Sequence, residues 1–163
     1  MNTIPGVNGE CATSPEQVQT ENGEEILVGG RRILVADDDR SIVLVVEHQI
    51  RLRVGCSVTT VTNGDDVLAR LSEEKFDVLV TDMVMPGMHG LELVARVREN
   101  YPDMGIIVMT GFADDFPYVD VIRAGANDFI MKPYLGQELE AKLIRIFRKA
   151  EMRDALVLAE TKY

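Results

Sequence analysis

Short apolar runs alternate with longer amphipathic segments along this chain, and the pattern repeats five times. The runs are rich in Ile, Leu, Val and Thr, which is typical of buried parallel strands. The segments between them carry apolar residues at helical spacing. The predicted strands are residues 31–36, 56–61, 76–82, 105–110 and 128–131, and the predicted helices are residues 40–53, 65–72, 88–100, 114–124 and 136–150. This alternation predicts an α/β fold whose parallel sheet is covered by helices on both faces.

The two ends of the chain differ from this pattern. Residues 1–30 are rich in small and polar residues, which predicts a mostly disordered leader before a domain over residues 31–149. The apolar patch Ile26–Val28 either packs on the domain or on another protomer, or is a loose approach to the first strand. The helical pattern continues past Lys149, so residues 150–163 are predicted to form a helical extension.

Four of the five predicted strands end at a residue with useful chemistry. Asp37 and Asp38 follow the first strand, Asp82 ends the third, Thr110 ends the fourth and Lys132 follows the fifth. The carboxyl ends of parallel strands meet at the edge of the sheet where ligands bind, so we expect these side chains to converge. A lone Asp after a strand is usually a helix N-cap, but a Met-Pro-Gly turn separates Asp82 from the next helix.

Composition narrows the classes of function. The 163 residues suit one domain, and 17 basic against 27 acidic side chains give a net charge of −10. Such acidity argues against direct binding to nucleic acid or to anionic membranes, and it suits a site that holds a cation. The first ten residues lack the basic and apolar regions of a signal peptide and no apolar run is long enough to cross a bilayer, so neither a signal peptide nor a membrane span is expected. Cys11 and Cys56 form no metal motif, so two free thiols in a reducing cytoplasm are expected.

The segments ILVADDD, VLVTDMVMPGMHG, GIIVMTG and DFIMKP together resemble the receiver domain of two-component response regulators, over about residues 31–149. The resemblance implies a flavodoxin-like (βα)5 fold with strand order 2-1-3-4-5. That order makes the four strands that carry the motifs neighbours. It also implies a phosphoryl acceptor for a sensor histidine kinase or a histidine phosphotransfer protein.

The same resemblance assigns roles at the predicted edge of the sheet. Asp82 would accept the phosphoryl group. Mg²⁺ would be held by Asp38 and Asp82 directly, by Asp37 through water and by the backbone carbonyl of Val84. The residue types fit this assignment, because clustered carboxylates repel one another and Mg²⁺ prefers oxygen ligands.

The resemblance also implies a switch. Lys132 and Thr110 would bind the phosphoryl oxygens, Gly111 would leave room for them, and the bond before Pro133 would be cis. Phe129 would swing inward as Thr110 moves. The output surface would then be the fourth helix, fifth strand and fifth helix.

The partners that follow are a downstream protein target or an output domain of the same protein. A homodimer through the output surface or through the C-terminal helix is also expected. The chain is either a stand-alone receiver or one that continues into a linker helix. It would catalyse its own phosphorylation and dephosphorylation and would not act as an enzyme on other substrates.

Two other functions stay open at this point. A phosphohydrolase of the haloacid dehalogenase type would use Asp37 and Asp39 as its D-x-D motif, with Lys132 as its lysine. That alternative lacks the acidic pair expected after the lysine and leaves Asp82 unexplained. The third alternative is a receiver fold that serves as a docking platform without phosphorylation, which a failure to bind Mg²⁺ would favour.

Overall fold

The computed structural model describes residues 17–20, 22–111, 115, 117–134 and 136–161. Within them the main sheet has five parallel strands in the order β4-β3-β5-β6-β7. The first predicted strand is β3 and the second is β4, so this is the predicted order 2-1-3-4-5. A separate antiparallel hairpin precedes it. The strands are β1 (Gln17–Gln19), β2 (Glu25–Leu27), β3 (Arg32–Ala36), β4 (Ser57–Val61), β5 (Val78–Asp82), β6 (Gly105–Thr110) and β7 (Asp128–Met131).

Helices cover both faces of this sheet, as predicted. In the described part of the chain they are α1 (Arg40–Arg53), α2 (Gly64–Glu73), α3 (Gly90–Asn100), α4 (Tyr118–Ala124) and α5 (Gly136–Glu160). The side chains of β3 point alternately to the two faces: Ile33 packs with residues of α1 and α5, and Leu34 packs with residues of α2, α3 and α4. The sheet is therefore the middle of three layers.

Local signals in the sequence explain where several helices begin. Asp39 caps α1, since its side chain accepts a hydrogen bond from the backbone N–H of Ser41 at 2.9 Å. Helix α4 begins late, at Tyr118, because Pro117 occupies its N-cap position. Gly105 allows α5 to lie close to β6: a Cβ there would come within 2.6 Å of Ile146.

The hairpin of β1 and β2 corrects the prediction of a disordered leader for residues 17–20 and 22–30. Ile26 is 1% exposed and Val28 is fully buried, in the same core cluster as Cys56 and Phe147. Glu24 also forms an ion pair with Arg148 of α5, at 3.3 Å. Burial of two aliphatic side chains stabilises a segment whose composition alone favours disorder. The predictions for residues 1–16, including Cys11, lie outside the described residues.

Helix α5 continues beyond the sheet, which confirms the predicted helical extension as far as Glu160. Its last turns expose Met152, Leu156, Val157 and Leu158. Residues 162 and 163 lie outside the described part. Among the helices of the described residues, none combines the length and the apolar character needed to span a bilayer.

Candidate functional site

The carboxyl ends of β3, β5, β6 and β7 bring the predicted site residues together. Asp37 directly follows β3, Asp82 ends β5 and Thr110 ends β6. These three polar side chains are buried, with Asp37 1% exposed and Asp82 6% exposed. These residues are far apart along the chain, and the order of the parallel strands brings them together.

Lys132 connects the two buried carboxylates. Its Nζ donates a hydrogen bond to Asp37 Oδ2 at 2.6 Å and another to Asp82 Oδ2 at 2.9 Å. Its backbone N–H donates to the carbonyl oxygen of Thr110 at 2.9 Å. The peptide bond between Lys132 and Pro133 is cis, which confirms that prediction.

The environment shifts the pKa values of the two partners. Burial raises the pKa of Asp82, and hydrogen bonds from Lys132 and from the backbone N–H of Val84 oppose that shift without cancelling it. Burial alone would lower the pKa of Lys132, but its hydrogen bonds to Asp37 and Asp82 outweigh burial and leave the pKa raised. The lysine is therefore held as a cation beside the carboxylates.

Three carboxylates are placed to hold one cation. Asp37, Asp38 and Asp82 each offer an oxygen, and these oxygens lie within 4.8 Å of one another. Asp37 and Asp82 are buried and Asp38 is exposed, so the cluster opens to solvent on one side. A set of oxygen donors with excess negative charge fits a hard divalent cation such as Mg²⁺.

Val84 lies beside this cluster. Its backbone N–H donates to Asp82 Oδ1 at 3.2 Å, and its side chain is exposed. The two oxygens of Asp82 thus have different donors, the amide of Val84 for Oδ1 and the ammonium group of Lys132 for Oδ2. The role of the Val84 carbonyl as a metal ligand stays a prediction.

The predicted switch residues lie on the β6 and β7 side of the site. A Cβ added at Gly111 would meet no atom within 4 Å among the residues that the structure describes. Phe129 is half-buried, and its ring packs edge-on against Tyr118, with the ring centres 6.2 Å apart. The inward movement of Phe129 stays a prediction.

One contact next to the site was not predicted. The hydroxyl of Tyr134 donates to Gln49 Oε1 at 2.9 Å and so joins the segment after Lys132 to α1. Burial, with a contribution from Asp37, raises the pKa of Tyr134 to about 12.

A groove of about 450 Å³ runs between α1 and the segment after Lys132, lined by Ser41, Ile42, Val45, Val46, Gln49, Lys132, Pro133 and Tyr134. The sequence signal that could have indicated such a groove is Val45, an apolar residue outside the buried stripe of α1.

Comparison with known proteins agrees with this geometry. The family model described as the response regulator receiver domain matches residues 33–144. A curated relative is the alkaline phosphatase synthesis transcriptional regulatory protein PhoP of Bacillus subtilis, 30% identical over 122 residues. That match covers 75% of this chain and 50% of PhoP, so the chain spans about half the length of this relative.

Solved structures of receiver domains are also similar to this chain. A CheY-like response regulator receiver domain protein from Methanospirillum hungatei is 29% identical with a TM-score of 0.71, over 76% of this chain and 98% of that chain. The BeF3-activated DrrB receiver domain is 30% identical with a TM-score of 0.66, over 72% of this chain and 97% of that chain. The motifs, the sheet order and these matches agree: the chain belongs to the response regulator receiver domain family.

Proposed function

We propose that this chain is a phosphorylation-dependent signalling switch in which Asp82 accepts a phosphoryl group from a sensor histidine kinase or a histidine phosphotransfer protein. The observation that carries the proposal is the bridge from Lys132 to Asp37 and Asp82, within a cluster of three carboxylates. A structural salt bridge between Lys132 and two acids has no use for Asp38, whereas a bound cation gains an oxygen ligand from it.

The proposed transfer step uses the groups that surround Asp82. A carboxylate oxygen attacks the phosphorus atom, and the bond from phosphorus to the donor's imidazole nitrogen breaks with its electron pair on nitrogen. The product is an acyl phosphate on Asp82. Lys132 supplies positive charge to the phosphoryl oxygens, and the hydroxyl of Thr110 supplies a hydrogen-bond donor. Gly111, which has no side chain, would leave room for the phosphoryl group beside Thr110.

Asp37, Asp38 and Asp82 would hold Mg²⁺, joined by the carbonyl of Val84 as the family resemblance implies. The chemistry that Mg²⁺ would supply at this site is neutralisation of charge on the phosphoryl oxygens. The chain's own contribution is the placement of its carboxylate oxygens within 4.8 Å of one another.

The groove beside Lys132 suits the phosphodonor. Its apolar lining consists of Ile42, Val45 and Val46 of α1 together with Pro133 and Tyr134, and it opens next to the lysine. Leu44, Val45 and Leu52 extend the exposed apolar surface of α1. An amphipathic helix that presents a phosphohistidine could lay its apolar face against this surface and bring phosphorus to Asp82.

The output surface we propose consists of α4, β7 and α5. Tyr118, Val119 and Met131 are exposed there, next to the half-buried Phe129. Phosphorylation would shift a two-state equilibrium of this surface. The phosphorylated surface would act on a downstream protein or on an output domain of the same protein. It could also act through a homodimer formed by this surface or by the end of α5.

The proposed location is the cytoplasm, and the chain would catalyse its own phosphorylation and dephosphorylation only.

The test is intact mass spectrometry after incubation with Mg²⁺ and acetyl phosphate, with Asp82→Asn as the matched control. One phosphoryl adduct is expected on the wild type and none on the variant. Peptide mapping that placed the label on Asp37 would favour a phosphohydrolase of the haloacid dehalogenase type. No adduct, together with no binding of beryllium fluoride, would favour a docking platform.

A further inference from the structure

We infer that Tyr134 is a positioning residue: its hydrogen bond to Gln49 holds the segment that carries Lys132 against α1 and so sets where the lysine meets Asp82. The inference rests on the proposed function for its effect on rate. Its geometric part can be tested without phosphorylation.

The first support is the position of the bond. Tyr134 lies two residues after Lys132, and its hydroxyl donates to Gln49 Oε1 on α1 at 2.9 Å. The residue between them, Pro133, has a φ angle fixed by its ring, so a displacement of Tyr134 is passed on to Lys132. The side chain of Tyr134 also packs against the core that includes α1.

The second support is how α5 begins. A Cβ on Gly136 would lie 2.8 Å from Arg53 Nε and 3.3 Å from Gln49 Nε2, so α5 starts in close contact with α1. Arg53 also forms an ion pair with Glu140 at 3.2 Å. These contacts fix the start of α5. The bond of Tyr134 is the contact with α1 that lies nearer to Lys132 along the chain.

The third support is the precision that the site requires. Lys132 Nζ donates to Asp37 Oδ2 at 2.6 Å and to Asp82 Oδ2 at 2.9 Å. Under the proposed function it must stay this close to Asp82 and also bind the phosphoryl oxygens. Catalytic groups held by neighbouring hydrogen bonds lose rate when they move by about 1 Å. A half-buried Tyr hydroxyl needs a partner, and Gln49 supplies it.

The kinetic test measures phosphorylation by acetyl phosphate as a function of its concentration, in Tyr134→Phe, Gln49→Leu and Gln49→Glu. The first two remove the bond, and we expect the limiting rate to fall about tenfold, as for loss of a supporting hydrogen bond at an active site, with little change in half-saturation. Gln49→Glu keeps an acceptor and is expected to stay close to wild type. Tyr101→Phe, which removes a hydroxyl on the far side of the sheet, is the matched control.

A second measurement is the NMR signal of the Lys132 ammonium group, which two hydrogen bonds should protect from exchange in the wild type. We expect Tyr134→Phe to broaden or shift it and Tyr101→Phe to leave it unchanged. An unchanged lysine signal in Tyr134→Phe would overturn the inference. So would a drop in melting temperature without a change in limiting rate. If the wild type takes no phosphoryl group, the proposed function fails, and the NMR signal still decides the position of Lys132.

Discussion

Asp82 is ionisable, buried and surrounded by other acids, and this has a consequence for stability. Burial raises its pKa above the ordinary value of 3.8, so the folded protein binds a proton at Asp82 more readily than the unfolded chain does. The favourable contribution of Asp82 is therefore fully present below pH 3.8 and is lost as the pH rises through the higher folded pKa. At neutral pH the carboxylate lowers the free energy of unfolding.

Asp82→Asn should therefore be more stable than the wild type at pH 7 in metal-free buffer, and the difference should shrink as the pH falls towards 4. Urea denaturation at both pH values measures it. Asp154→Asn, at an exposed position of α5, is the control for the change in charge. A variant less stable than the wild type at pH 7 would mean that the ion pair with Lys132 outweighs the cost of burial.

Some residues of the site could be predicted from the sequence and others could not. Asp37, Asp82, Thr110 and Lys132 were found because each lies at the carboxyl end of a strand or directly after it, and the parallel order brings these strand ends together. The bond between Tyr134 and Gln49 has no such signal, because the partners are 85 positions apart and neither belongs to a motif. Predicting it would require the packing of α1 against the start of α5.

At the scale of elements, the hairpin of β1 and β2 is the largest departure from the sequence prediction. Each strand has three residues, too few for a periodic pattern. Its order comes from partners distant in sequence, since Ile26 and Val28 pack in the cluster with Cys56 and Phe147. Four of the five parallel strands were predicted because they are mostly apolar runs, and β5 and β6 are buried along their whole length. The remaining strand, β4, was predicted because its sequence is rich in β-branched residues.

Ile26→Ala should lower the free energy of unfolding by about 2–4 kcal/mol, the usual cost of truncating a fully buried aliphatic side chain. Chemical denaturation of the full chain measures this, with the exposed Gln19→Ala as control. A loss below about 0.5 kcal/mol, the range of ordinary surface substitutions, would contradict the packing of the hairpin on the domain.

For the whole molecule, net charge determines the response to ions. A charge of −10 destabilises the compact state by self-repulsion, and both salt screening and a bound divalent cation relieve it. Three carboxylates at one edge of the sheet concentrate that effect. General screening and site binding can be separated, because only the second depends on the cluster.

We expect millimolar MgCl₂ to raise the melting temperature of the wild type more than NaCl of equal ionic strength, and Asp38→Asn to lose that excess. Asp39→Asn is the matched control: it removes the same charge one residue away, and Asn keeps the N-cap of α1. Equal gains from both salts in the wild type would argue against a divalent site.

Helix α5 joins two distant ends of the molecule. It begins at Gly136, four positions after Lys132, and its 25 residues extend to Glu160. At 1.5 Å per residue such a helix is about 37 Å long, roughly the diameter of a small domain. A molecule bound to its last two turns would therefore lie far from Asp82. Under the proposed function, a phosphodonor at Asp82 and a second partner at the end of α5 would not compete for space and would be able to bind the same chain at the same time.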